Sequence, residues 1–330
     1  MLLNPVTRRQ ALNRTLACTL AVAGTAARSQ TPAAWPAGPV RIIVPLPAGG
    51  GVDVFVRALA EPLAAALKQT VIVDNKPGAG GLIGAKAAAQ AAPDGLTLAY
   101  IHSGLVTVQA MNPRLDLLKE FRPVARLSNS PFVVVVSASS RHRTMADLVA
   151  DVKANPGKLS FGSGGPGSPA HLAVEYLEEK LGNFKALHVP FKGAAEVANA
   201  LIGGQVDFQI GLLGAVLAPV QGGKLRALAV TGRSRVPQLP AVPTLAEAGV
   251  PDFVFEPWGG LAVPAGTPDA VITRLNELLP GVLAHATVKE VMARQGAMPD
   301  LASPQSLAAQ IARELEIDKV VVKRLGMTTQ

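Results

Sequence analysis

The sequence predicts an α/β protein of two lobes facing each other across a cleft. Three observations carry this. The chain has 330 residues, about twice the ~150 of a typical domain. Apolar, β-rich runs alternate with segments of helical period, in two successive sets. A glycine-rich loop follows a strand-like run at the matching position of each set. With 49% apolar and 16% charged residues, the chain can offset its ordering entropy by burial, which excludes intrinsic disorder.

In the first set, Val40 to Val44 reads as a strand and 53–68 as a helix whose Phe55, Val56, Leu59, Leu63 and Leu67 form one apolar stripe. Pro62 inside that helix is expected to kink it. Strand-like Val71 to Val73 and Leu96 to Ile101 are each followed by helical segments, 82–91 and 104–110. This alternation predicts parallel βαβ units.

The second set begins at Phe132 to Val136, apolar at every position and therefore a strand buried on both faces and a candidate crossing between lobes. Thr144 and Asp147 have capping-box spacing ahead of a helix to about Lys153. Strands follow at Leu159 to Gly162, Ala186 to Val189, Val206 to Ile210 and Leu225 to Thr231, with helices starting near Ser168, Gly193 and Gly214. Three prolines between Pro237 and Pro243 mark an extended connection before a short helix ending at Gly249. Phe253 to Val263 reads as a long strand returning to the first lobe, Thr267-Pro268 as a cap with an N1 proline, and Ser303 to Arg324 as a terminal amphipathic helix. The expected division is 31–132 with 258–330 as lobe 1 and 133–257 as lobe 2, each a βα-layered sheet, with two crossover strands.

Residues 1–30 read as an export signal: Arg8, Arg9 and Arg14 precede the apolar run Leu16 to Ala27, and no acidic residue occurs before Asp53. That run is too short for a bilayer span of ~20 residues. Thr7-Arg8-Arg9-Gln10-Ala11-Leu12 carries the twin arginines of the folded-export route, but no large apolar residue follows Gln10, so the general secretory route is expected. Removing this segment lowers the formal charge from +8 to +4. With no basic run longer than Arg141-His142-Arg143 and only 13 aromatics, a nucleic-acid partner is not expected. The single cysteine, Cys18, lies within the signal, leaving no mature thiol for disulfide, zinc or covalent chemistry.

Glycine concentrates at two strand-to-helix junctions, Pro45 to Gly51 and Phe161 to Ser168. Helix N-termini present unpaired N–H groups and a partial positive charge, and glycine lets a ligand reach the backbone, so the two loops are natural carboxylate cradles; two ordinary tight turns are the bland alternative. Gly162 to Gly167 also fits G-x-G-x-x-G, and Gly78 to Gly84 a related spacing. Neither is followed by the acidic residue about 20 positions on that a dinucleotide needs, so no cofactor is expected. No serine sits in G-x-S-x-G, and His102, His142, His171, His188 and His285 have neither nucleophile nor zinc spacing. No catalytic or metal-binding residue is therefore assigned. His171 is either a structural histidine or a ligand group near the second cradle. Asp53 and Asp207 either cap local elements or accept a hydrogen bond at the cleft.

Many of these segments, in order, resemble the Bug family of tripartite tricarboxylate transporter substrate-binding proteins, from Trp35 to about Met327. They include Pro45-Leu46-Pro47-Ala48-Gly49-Gly50-Gly51-Val52-Asp53, Val73-Asp74-Asn75-Lys76-Pro77-Gly78-Ala79-Gly80-Gly81, Pro93-Asp94-Gly95 and Ala154 to Ser163. Further on come Pro169-Ala170-His171-Leu172-Ala173, His188 to Gly193, Gly203 to Phe208, Gly223 to Thr231 and Pro264 to Pro268.

The resemblance implies a two-lobed, Venus-flytrap periplasmic binding protein, monomeric, that captures a small organic anion and delivers it to membrane transporter subunits without catalysing a reaction. It implies ligand contacts from Pro47, Ala48, Gly49 and Gly50, and from Ser163, Gly164, Gly165 and Ser168. It also brings Ser103, Gly104, His171 and Asp207 to the cleft, beside Asp53 of the first motif. Closure is expected to bend the chain at about Val133 to Val136 and Trp258 to Ala262. Phe191 stands where the family often has tyrosine, and Gly259 follows Trp258 where an aromatic is common, so a roomier or less polar cleft is expected there. An exported sensor feeding a signalling partner is the alternative, and a small-molecule enzyme the distant one.

Overall fold

The computed structural model describes residues 35–182 and 184–327; the expected signal at 1–30, with Cys18, lies outside them. In chain order the elements are β1 (Val40–Val44), α1 (Gly51–Leu67), β2 (Val71–Asn75), α2 (Leu82–Ala89), β3 (Thr97–His102), α3 (Ser103–Met111), α4 (Leu117–Glu120) and β4 (Phe121–Asn129). Next come β5 (Phe132–Ser137), α5 (Met145–Ala154), β6 (Ser160–Ser163), α6 (Pro169–Leu181), β7 (Leu187–Pro190), α7 (Ala194–Ile202), β8 (Phe208–Leu212), α8 (Leu213–Gln221) and β9 (Leu225–Val230). Last are β10 (Trp258–Pro264), α9 (Asp269–Ala284), α10 (Ala286–Gln295), β11 (Met298–Ala302) and α11 (Pro304–Arg324).

The strands form two sheets, β11-β4-β10-β3-β1-β2 and β7-β6-β8-β5-β9. In the first, β1 pairs in parallel with β2 and β3, whereas β10 runs antiparallel between β3 and β4. In the second, β6 is parallel to β7 and β8, whereas β5 runs antiparallel between β8 and β9. The sheets are therefore mixed, not purely parallel: each receives one strand from a chain crossing between them, and β11 adds an antiparallel edge to the first.

Helices cover both faces of the second sheet, which accounts for the unbroken apolar run in β5. Val134 and Val136 pack with α5 and α6, while Val133 and Val135 pack with α7 and α8. All four are fully buried, as a strand between two helical layers requires. On the first sheet α2, α3 and α11 share one core with Ile43, Ile101 and Trp258. The stripe of α1 is buried as expected, and that helix runs unbroken through Pro62.

Local signals hold at several points. Thr144 and Asp147 form the capping box of α5, and Ser168 caps α6. Others give way. Thr244 and Glu247 exchange the hydrogen bonds of a capping box, Glu247 N–H to Thr244 Oγ1 at 3.1 Å and Thr244 N–H to Glu247 Oε2 at 2.8 Å, yet only turns follow. Pro268 is the N-cap of α9, not its first residue; Thr267 instead donates its hydroxyl to the Pro264 carbonyl at 2.8 Å.

The two crossings lie side by side. Ser130 N–H donates to the Pro257 carbonyl at 2.7 Å, and Phe255 N–H to the Thr231 carbonyl at 3.0 Å. The segments expected to bend, Val133 to Val136 and Trp258 to Ala262, lie within the strands beyond this pairing. Both segments are buried central strands bonded on each side, so bending them would break two ladders at once.

Candidate functional site

The carboxyl ends of β1 and β6 each run into a glycine loop and then a helix, as the two cradles require. At the first, Pro47, Ala48, Gly49 and Gly50 are exposed. Gly50 is the N-cap of α1, and no side chain caps that helix, leaving the N–H groups of its first turn without an intrahelical partner. Gly49 has a φ of +80°, which favours glycine. Its N–H donates to Asp53 Oδ2 at 2.8 Å.

Asp53 belongs to the scaffold of this loop. Only 3% exposed, it accepts both bonds of the Arg57 Nε at 3.0 Å. Arg57 in turn donates to Asn75 Oδ1 at 2.8 Å, and Asn75 to the Leu46 carbonyl at 3.2 Å. The Arg57 hydrogen bond, outweighing burial, holds the Asp53 carboxyl below its usual range. Gln295, at the end of α10, closes the other side by donating to the Gly51 carbonyl at 2.9 Å.

The second cradle is pinned by neutral groups. Ser163 is fully buried; its hydroxyl lies 2.7 Å from His188 Nε2 and 3.1 Å from both the Gly165 carbonyl and the Gly165 N–H. Ser168 Oγ accepts the His171 N–H at 3.4 Å and meets Ser163 Oγ at 3.3 Å. His171 Nδ1 accepts the Gly167 N–H at 2.9 Å, which places the ring proton on Nε2, facing Glu175 Oε1 at 3.4 Å. The His171 and His188 rings stack at 4.0 Å over Phe161. Burial first, then the neighbouring His171, pushes His188 down to about 4. Burial raises the Glu175 carboxyl, but His171 and Arg324 hold it below its usual range. Gly164 is exposed, and its N–H has no partner among the described residues.

Ser103 and Gly104 open α3 at the carboxyl end of β3, again without a capping side chain. They line one cavity with Pro169, the first residue of α6, so the starts of these two helices converge. His102 beside them is pushed down to about 4 by burial.

Asp207 does not join this group. It lies before β8, where its carboxylate accepts the Ser160 N–H at 2.7 Å and hydroxyl at 2.9 Å, at the end of β6 opposite Ser163. The expected extra room at Gly259 is likewise corrected: a Cβ there would sit 1.6 Å from the Tyr100 hydroxyl, so the tyrosine already fills that space. Sequence reading passed over His188 and Gln295. The pairing of β6 with β7 in register Phe161 to His188 brings the first to Ser163, a contact that no spacing along the chain announces.

The family described as "Tripartite tricarboxylate transporter family receptor" matches residues 55–327. Protein BugT of Bordetella pertussis is 37% identical over 296 residues, covering 88% of this chain and 90% of BugT. A TctC solute binding protein from Polaromonas, solved with no ligand, has 33% identity and a TM-score of 0.82, covering 88% of this chain and 99% of that one. Rpa4515 of Rhodopseudomonas palustris with adipate has 30% identity and a TM-score of 0.70, covering 89% and 99%. MatC of the same organism with bound malate has 30% identity and a TM-score of 0.67, covering 87% and 100%.

Proposed function

Because the chain belongs to the tripartite tricarboxylate transporter receptor family, a family of solute-binding receptors, we propose that it captures a small organic carboxylate between its two glycine loops and hands it to membrane transporter subunits. The observation that carries this is the pair of loops at the carboxyl ends of β1 and β6. Among the described residues they leave unpartnered N–H groups in the first turn of α1, which no side chain caps, and at the exposed Gly164, those of Gly165 and Gly167 being taken up within the loop. Such groups favour negative charge. The adipate and malate held by two structural neighbours belong to the same ligand class.

The lobes are taken as 31–132 with 258–330, and 133–257. The protein works in the periplasm, exported by the general secretory route through residues 1–30, and acts as a monomer. It binds without turnover. Among the described residues two serine hydroxyls meet a histidine ring, Ser140 at His142 Nδ1, 3.2 Å away, and Ser163 at His188. The one at the second loop, Ser163, is fully buried, and its partner His188 is too weak a base, at about 4, to activate it near neutral pH. In this reading Pro47, Ala48, Gly50, Ser103, Gly104, Gly164 and Gly165 border the anion. Asp53, Ser163, Ser168 and His171 position the loops.

Gly50→Trp tests the reading. Gly50 has an ordinary φ of −75°, and a Cβ there meets only the Pro47 carbonyl, at 3.5 Å, so the variant should fold. Thermal unfolding is measured with and without malate, succinate, adipate and citrate; a ligand at 100 times its Kd stabilises by about 2.7 kcal/mol. The wild type should show this rise with at least one acid and Gly50→Trp should show none, with unchanged stability in its absence. An equal rise in both proteins refutes the cradle.

A further inference from the structure

Behind the starts of α3 and α6 lies a cavity of about 80 Å³ with an uneven distribution of charge. At one end are Ser103 and the first turn of α6, where N–H groups and helix dipoles favour an anion. The other end is lined by three carboxyls: Glu256 from the second crossing, and Glu314 and Asp318 from one face of α11. Asp318 is 3% exposed. Its Oδ2 accepts the Thr107 hydroxyl at 2.7 Å, but its Oδ1 is buried with no hydrogen-bond partner. Natural folds rarely leave such an acceptor unpaired, and an orphaned carboxylate oxygen on a cavity wall asks for a donor from a bound molecule.

The neighbours specify that donor. No basic side chain lines the cavity, and among the described residues nothing answers Asp318 Oδ1, whereas Glu314 already accepts from Trp258 Nε1 and Gln310 Nε2, each at 2.7 Å. Thr107 follows Ser103 by four residues on α3, so the anion-favouring and cation-favouring ends are offset by about 6 Å along that helix.

We propose that this cavity is a subsite for an ammonium group, and that the solute is a small acid carrying an amine about one helical turn from its carboxylate. This rests on the carboxylate-binding reading above and narrows its ligand class. The carboxylate lies against the Ser103 end, and the ammonium donates to Asp318 Oδ1 in a cavity that Glu256 also lines. A buried charge paired and hydrogen-bonded in this way answers an acceptor that is costly when left alone.

The pH dependence follows from the same geometry. Burial raises Asp318 to about 7, against the Thr107 hydrogen bond. Burial also raises Glu256 and Glu314. The other titratable group on the wall is Tyr176 of α6; α3 contributes only hydroxyls. An aliphatic ammonium keeps its proton to about pH 10, so it should bind more tightly as Asp318 ionises through neutrality.

Calorimetry with two matched pairs, 4-aminobutanoate against butanoate and 5-aminopentanoate against pentanoate, tests this between pH 6 and pH 8. In at least one pair the amine-bearing acid should bind about tenfold more tightly or better, as a charge-assisted buried bond implies, and its affinity should rise with pH. Asp318→Asn, which keeps the shape and the acceptor for Thr107, should remove that advantage while leaving the desamino acid within about twofold. Equal affinities within pairs whose desamino members bind overturn the ammonium subsite and leave the carboxylate reading standing. Affinity for the amine that rises as pH falls also overturns it, since Asp318 would then donate a proton to an acceptor. Binding of none of the four acids overturns it together with the reading on which it rests.

Discussion

The loop after β1 is held by a buried anion, Asp53, neutralised by Arg57 and tied to Asn75, whereas the loop after β6 is held by a buried serine hydroxyl and two stacked, hydrogen-bonded histidines. Among the described residues the first leaves the N–H groups in the first turn of α1 without a partner, and the second leaves that of Gly164. The difference teaches that a loop can keep N–H groups unpartnered with or without a charged side chain to hold it. It needs its own polar groups satisfied from behind, so that loop shape is fixed before the anion arrives. In the first loop the salt bridge achieves this at the cost of a negative charge near the site, which Arg57 cancels; the second avoids charge where the loop itself is pinned.

The largest expected difference lies in how each loop is seated. A Cβ on Gly84 of α2 would lie 2.6 Å from the Lys76 carbonyl and 2.7 Å from Pro45 Cα, both backbone, so the first loop rests on an approach that only glycine permits. A Cβ on Gly162, beneath the second loop, would meet the Val197 side chain at 2.5 Å and the Phe191 ring at 3.3 Å, which can shift. Gly84→Ala is expected to cost about 3 kcal/mol and Gly162→Ala about 1 kcal/mol, read by urea denaturation. Equal costs would mean that the two loops are seated alike.

Asp53→Ala should come next, at about 2 kcal/mol, because it leaves the Gly49 N–H unpaired and frees Arg57 from its partner. Its sign with pH is fixed. The folded-state carboxyl sits below its ordinary value of about 4, so the contribution is present above that value and is lost as pH falls through the folded-state pKa. Denaturation at pH 7 and pH 3 should show the gap between wild type and variant narrowing in acid. A gap of the same size at both pH values would show that Asp53 acts without its charge.

Much of this arrangement was legible in the sequence, and the gaps have physical causes. The stripe of α1, the all-apolar β5 and the capping box of α5 could be read because each is a local pattern facing a uniform environment. The strands β4 and β11 could not. Pro123 and Pro299 sit inside them, and both pair with register shifts, so the alternation that announces a strand is broken. The loops themselves were visible from their glycines, but what pins them was only partly so: Asp53 lies four residues from its partners, whereas His188 reaches Ser163 across a sheet. For Asp207 the residues leave strand end and cleft both open, because which end of the sheet it occupies follows from the parallel pairing of β6 and β8, which one stretch of sequence does not reveal.

The smallest expected effect probes the neutral side of the comparison. Ser163→Ala should cost about 1 kcal/mol, since the hydroxyl it removes links His188 to Gly165. More telling is the titration of His188, which burial and His171 push down to about 4, below the ordinary value of about 6.5. The unfolded chain then takes up a proton that the native protein refuses, so the histidine's contribution is complete above about pH 6.5 and declines as pH falls from there toward 4. Wild-type stability should fall across that window, and His188→Phe, which keeps a ring against His171 and Phe161, should flatten that part of the curve. NMR should report His188 still neutral at pH 5.5. A His188 that titrates near 6.5 would mean the second loop carries a positive charge in mild acid, making it as charged in its construction as the first.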